Sequence, residues 1–154
     1  MTTRMNRPAD TGRPPLPRRS SGPGDSARAC SFIAAFSSVG PARRFARANC
    51  GFASGSQPCD VEVCVSELAT NSVRHSRSSR PGGRFTVAVA TAPGWCRVQV
   101  ADDGPLHPRH GPRLHPPDAF TESGRGLHLL DALSSWWGVD RDLASTTVWF
   151  EITR

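Results

Sequence analysis

Residues 66–76 read "SELATNSVRHS". The apolar spacing is that of a helix, but Glu67, Asn71, Arg74 and His75 stand among the apolar positions. Extended back to Asp60, which suits a helix cap, the run becomes "VEVCVSELATNSVRHS". At about 100° per residue, Val61, Cys64, Val65, Leu68, Ala69 and Ser72 share one arc, which predicts the buried stripe. Glu67 and Asn71 are one turn apart on the border of that stripe, and Arg74 and His75 prolong the border. The polar set therefore stands at the mouth of the core. By itself it reads as an ordinary helix boundary or as one wall of a ligand site.

Outward from this helix the pattern changes period. "RFTVAVATA" (84–92) and "WCRVQVADD" (95–103) alternate, with "PG" between them, which predicts an antiparallel hairpin. Cys96, Val98 and Val100 face one way; Trp95, Arg97, Gln99 and Ala101 face the other. Upstream, "ACSFIAAF" (29–36) reads as an edge strand, and "GPARRFARANCGF" (40–52) as a helix with Pro41 in its first turn and Gly51 at its end. Downstream, residues 103–123 hold five Pro, two Gly and three His, a long loop of the kind compact domains keep for function. "GRGLHLLDALSSWW" (124–137) reads as a helix, and the last stretch as two strands joined at 140–144. This order predicts an α+β two-layer sandwich: a mixed, mainly antiparallel sheet with helices on one face. Residues 29–154 form the domain. Residues 1–28, rich in Pro, Gly, Ser and Arg, read as a disordered tail.

Charge narrows the chemistry. The formal charge is +6, yet residues 1–28 carry six Arg against Asp10 and Asp25, so most of the excess lies in the tail. Nucleic-acid binding by the folded part is not expected on that balance. All 19 basic residues are Arg. That excludes a lysine phosphate loop and lysine Schiff-base chemistry. The five Cys make no CxxC pair, no apolar run approaches the roughly 18 residues of a membrane span, and no secretory signal is visible, so a reduced cytoplasmic setting is expected. Cys59 with Cys64, and His107, His110 and His115, lack zinc spacing.

Four stretches can carry chemistry. Glu67 and Asn71 can serve a hydrated divalent cation, the amide oxygen ligating it and the carboxylate accepting a proton. "VADDGP" (100–105) puts a carboxylate at a strand end, where it can accept a hydrogen bond from an exocyclic amine; it also reads as a plain Asp/Gly turn. "ESGRGLHLLDAL" (122–133) brings glycines to a helix start, where free N–H groups favour anions. In "STTVWFEI" (145–152), Thr147 can offer a hydroxyl next to the strand of Asp102.

In combination and in this order, the four stretches resemble the GHKL, or Bergerat-type, ATPases. "VSELATNSVRHS", "GRGLHLLDALSSWWGV" and "TTVWFEI" are most similar to the small anti-sigma-factor serine kinases and their actinobacterial relatives, over about residues 29–154. The resemblance implies ATP and Mg2+ as cofactors. It makes Asn71 the magnesium ligand and Glu67 the acidic residue that activates the acceptor hydroxyl. It makes Asp102, with Gly104 beside it, the reader of the adenine amino group. Gly124, Arg125 and Gly126 fall at the phosphates, Thr147 near adenine, and 103–123 on the ATP lid. The implied activity is a serine/threonine kinase that phosphorylates an anti-anti-sigma (STAS-type) protein and sequesters a sigma factor, with room for a homodimer. The alternative is a binding module without phosphotransfer. Two departures stand out: Leu106 where a second glycine is expected, and Ser145 where a glycine often precedes the threonine pair.

Overall fold

The computed structural model describes residues 2–5, 26–106 and 125–154. The elements are β1 (Thr2–Met5), β2 (Ser26–Ile33), α1 (Val39–Asn49), α2 (Gln57–His75), β3 (Arg84–Ala92), β4 (Trp95–Asp102), α3 (Arg125–Leu133), β5 (Trp136–Arg141) and β6 (Thr146–Thr153). Short 3-10 turns lie at Phe36–Ser38 and Arg77–Ser79. The strands form one six-stranded sheet in the order β1-β5-β6-β4-β3-β2. Every strand pair in it is antiparallel, so the parallel part that a mixed sheet allows is absent among the described residues.

The expected stripe on α2 is the centre of the core. Val61, Cys64, Val65, Leu68, Ala69 and Ser72 are all buried, joined by Pro58 and Val73. They meet the alternate residues Phe85, Val87 and Val89 of β3, Cys96, Val98 and Val100 of β4, and Val148, Phe150 and Ile152 of β6. Truncating Leu68 to Ala at such a site costs about 2–5 kcal/mol. α2 lies over β4 and β6, α1 over β2 and β3, and α3 over β5, which makes the two-layer α+β sandwich.

The opposite sheet face is also closed in part. A Cβ on Gly138 would lie 2.5 Å from Trp149 Cζ2, so the ring packs directly against the Gly138 backbone. The Arg97 guanidinium sits 4.0 Å from a Trp149 ring centroid and pairs with Glu151 at 2.9 Å.

Four boundaries differ from expectation. α2 starts at Gln57 rather than after Asp60, because Pro58 fits a first turn; the Ser56 carbonyl accepts from the Cys59 and Asp60 N–H groups. Asp60 stands inside the first turn, where the helix dipole favours an acid. α3 ends at Leu133, not at 137. There the Ser134 N–H and hydroxyl both return to the Leu130 carbonyl, and the Ser135 N–H donates to Glu151 on β6. Trp136 and Trp137 are thereby delivered to β5, where aromatic residues are favoured. Strand structure also begins before residue 29. Thr2–Met5 pairs with β5 from Met5↔Trp137 to Thr2↔Asp140, and Ser26–Arg28 belongs to β2.

Candidate functional site

α2 builds both ends of the candidate site from consecutive residues. Asn71 and Glu67 point to α3, whereas Ser72 points to β4. A Cβ added at Gly126 would lie 3.0 Å from Glu67 Oε2, 3.3 Å from Glu67 Cβ and 3.4 Å from Asn71 Nδ2. The absence of a side chain at Gly126 is therefore what lets the start of α3 close on the Glu-x-x-x-Asn pair. Backbone N–H groups at a helix start present positive partial charge, so this junction suits an anion. Arg125 opens the same helix. Gly124 lies outside the described residues, as do positions 107–123 of the expected lid, including His107, His110 and His115.

At the other end, Asp102 closes β4. The Ser72 hydroxyl donates to Asp102 Oδ2 at 2.7 Å, and the Gly104 N–H to Oδ1 at 2.9 Å. Gly104 has φ +79°, a backbone that favours glycine, so the turn that folds its N–H back to Asp102 depends on that residue. Burial raises the Asp102 pKa above the ordinary carboxylate value. The two hydrogen bonds and the Arg141 charge oppose that rise, and Asp103 adds to it. The carboxylate is held in place by two donors and keeps accepting capacity for a third, which is what reading an exocyclic amine requires.

The register decides which threonine joins it. Asp102 pairs with Thr146, and Thr146 with Arg141 across the next strand. By strand alternation these three share the face of Val100, Val148 and Val139, which is the helix-covered face. Thr146 is 4% exposed, and its Oγ1 has no hydrogen-bond partner among the described residues. A buried hydroxyl in that state keeps its hydrogen-bonding capacity unused. Thr147, the residue expected there, pairs with Ala101 and turns to the opposite face with Trp149. The register thus puts Thr146, and not Thr147, on the face of Asp102. The two neighbouring threonines look alike as letters, and only the parity of β6 separates them. Ser72 and Arg141 were also missed: Ser72 reads as a core position, and Arg141 lies in the stretch read as a loop.

The family model for the histidine kinase-like ATPase domain matches residues 32–152. The chain belongs to the histidine kinase-like ATPase family. Membership carries ATP binding with it, and the buried carboxylate, the orphan Thr146 hydroxyl and the Gly126 approach give adenine and phosphate groups fitting surroundings. An uncharacterised protein of Streptomyces coelicolor, SCO4941, is 39% identical over 79 residues, which is 50% of this chain and 70% of that protein. Among solved structures, the RsbU and RsbW domains of Rv1364c from Mycobacterium tuberculosis match with a TM-score of 0.59 at 21% identity. That match covers 82% of this ATPase-family chain and 32% of the solved chain, and it shows a shared fold. No helix among the described residues is long and apolar enough to cross a membrane. No group of three or more metal-ligating side chains occurs among them either; Cys64 is buried in the core and Cys59 is exposed on α2.

Proposed function

We propose that this ATPase-family chain is a protein serine/threonine kinase of the anti-sigma-factor type, which phosphorylates an anti-anti-sigma (STAS-type) protein and sequesters a sigma factor in the cytoplasm. The observation that carries the proposal is the arrangement on α2: Glu67 and Asn71 stand against Gly126, while Ser72, the next residue, holds Asp102. A nucleotide read by Asp102 and Thr146 at its base reaches the Glu67–Asn71 junction with its phosphates. The RsbW domain of the mycobacterial protein shares the fold and supports the same reading.

Bound ATP with Mg2+ supplies the transferable phosphoryl group and neutralises its charge. The protein's part is positional and electrostatic. With Mg2+ bound, the Asn71 amide oxygen would hold the metal, and the Glu67 carboxylate would accept the proton of the incoming serine hydroxyl. The N–H groups at the α3 N-terminus, which Arg125 opens, would serve the phosphates. Asp102 fixes the base.

Equilibrium titration with ATP and ADP, with and without Mg2+, tests the site before any partner is known. Tight, magnesium-dependent ATP binding that is lost in Asn71→Ala is expected. Equal binding by wild type and Asn71→Ala would refute the metal role. Labelled ATP that binds but transfers nothing to any STAS-type acceptor would leave a binding module.

A further inference from the structure

The geometry points to Arg77 as a positioning residue for the base end of the nucleotide site, an inference that rests on the proposed nucleotide reading. α2 ends at His75, and the chain leaving it pairs briefly with the chain leaving β4. Ser76 and Pro105 form an isolated antiparallel bridge. The Arg77 N–H donates to the Gly104 carbonyl at 2.7 Å, and the Leu106 N–H to the His75 carbonyl at 2.9 Å. The turn that carries Asp102 and Gly104 is thus sewn to the end of the helix that carries Asn71.

The Arg77 side chain extends this seam to a third segment. Its Nε donates to the Asp103 carbonyl at 2.6 Å, and its Nη2 to the carbonyls of Ala144 at 3.0 Å and Leu143 at 3.3 Å. Residues 142–145 form the turn that enters β6 one residue before Thr146. Asp142 already shapes this turn from within, its Oδ1 accepting from the Ala144 and Ser145 N–H groups at 2.7 Å each. That turn is therefore preformed, and Arg77 fastens it to the exit of β4. Nη2 also lies 3.1 Å from where a Cβ of Gly104 would be, so the guanidinium fills the space the glycine leaves.

Arginine suits the task because its planar fork presents several N–H donors in fixed directions. All three of its side-chain acceptors are backbone carbonyls. The β4–β6 ladder pairs Asp102 with Thr146, and the contribution of Arg77 is to brace the two turns that leave and enter those strand ends, so that the last ladder pair does not fray. Losing that restraint loosens the base site and leaves the Glu67–Asn71–Gly126 junction untouched.

The test compares wild type with Arg77→Ala and Arg77→Lys by calorimetric titration with ATP, ADP and adenosine, alongside amide hydrogen exchange of the ligand-free proteins. Arg77→Ala is expected to weaken all three ligands by a common factor of about 10, with Arg77→Lys between it and wild type. Without ligand, exchange at Gly104, Ala144 and Ser145 should be at least about 10-fold faster in Arg77→Ala, while amides of central α2 stay unchanged. Loss of ATP affinity with adenosine affinity retained would overturn the inference, because Arg77 would then act at the phosphates. Affinity within twofold of wild type, or unchanged exchange at 104 and 144–145, would also overturn it. If Arg77→Ala fails to fold, Arg77→Lys carries the same three readings. If wild type itself binds no adenine nucleotide, the functional proposal falls, and the exchange data still decide whether Arg77 restrains the two turns.

Discussion

The two ends of the candidate site are made in different ways. The base end belongs to the sheet. Its residues sit directly across neighbouring strands, and its polar atoms are fixed by named hydrogen bonds from Ser72, Gly104 and the Arg77 seam. The phosphate end belongs to the meeting of two helices, where a missing side chain at Gly126 sets the spacing to Glu67 and Asn71. A strand register cannot shift by less than a residue, whereas helices can slide by fractions of an ångström. The contrast suggests a rigid reader of the base joined to a junction with adjustable geometry, with α2 common to both.

The widest separation of the two ends comes from Glu67→Gln. Phosphotransfer to an acceptor serine should fall by about 100- to 10,000-fold, the range of a lost general base, with ATP affinity within a few-fold of wild type. A parallel collapse of affinity, read by titration, would place Glu67 in binding instead. Asp102→Ala acts at the other end and should weaken ATP and ADP together. A hydrogen bond to a charged group contributes about 1.5–3 kcal/mol, or roughly 10- to 150-fold. Equal affinity of the variant and wild type would remove Asp102 from the base site.

Gly126→Ala tests the helix junction. Its Cβ would stand 3.0 Å from Glu67 Oε2, so overpacking of about 1–3 kcal/mol is expected. ATP affinity should drop more than adenosine affinity, and a uniform drop would mean that the two ends are coupled. A smaller effect follows from pH. Because the folded Asp102 pKa lies above the ordinary value, its carboxylate is charged only above that raised pKa. Adenosine affinity should therefore hold at neutral pH and decline as pH falls through the raised pKa, whereas in Asp102→Ala the decline should vanish. The thiols give the weakest signal. Cys50, Cys64 and Cys96 are buried, and burial pushes the Cys64 and Cys96 thiols up to about 12. Titration with a thiol reagent should find Cys30 and Cys59 reacting well ahead of the other three, and fast reaction of all five would contradict the packing of α2 on β4.

Sequence periodicity reached some of this and stopped at identifiable places. The α2 stripe, the β3–β4 hairpin with its faces, and the order of the four site stretches are all short-range patterns. They are legible because helix and strand periods act over a few residues. The sequence points to Thr147 and the register puts Thr146 on the Asp102 face, because strand parity depends on the pairing of β6 with β4, some 45 residues away. Trp136 and Trp137 extend the apolar pattern of α3, and it is their pairing with Glu151 and Phe150 of β6, led in by the Ser135 bond to Glu151, that hands them to the sheet. Arg77 looked like one more arginine in a polar turn, since its acceptors at 143 and 144 are fixed by tertiary structure alone. Thr2–Met5 has no apolar pattern; it is a strand because β5 offers it an edge.

The place of β6 has a consequence for how the protein is made. In the sheet order, β6 alone connects the β2-β3-β4 ribbon to the β1-β5 pair. Asp102 ends one side, Arg141 ends the other, and Thr146 bridges them. Until residues 146–153 have left the ribosome, the two parts share no backbone ladder and Asp102 has no Thr146 across from it. On the proposed reading, a nascent chain stopped earlier has the Glu-Asn helix but lacks the strand that completes the face of Asp102.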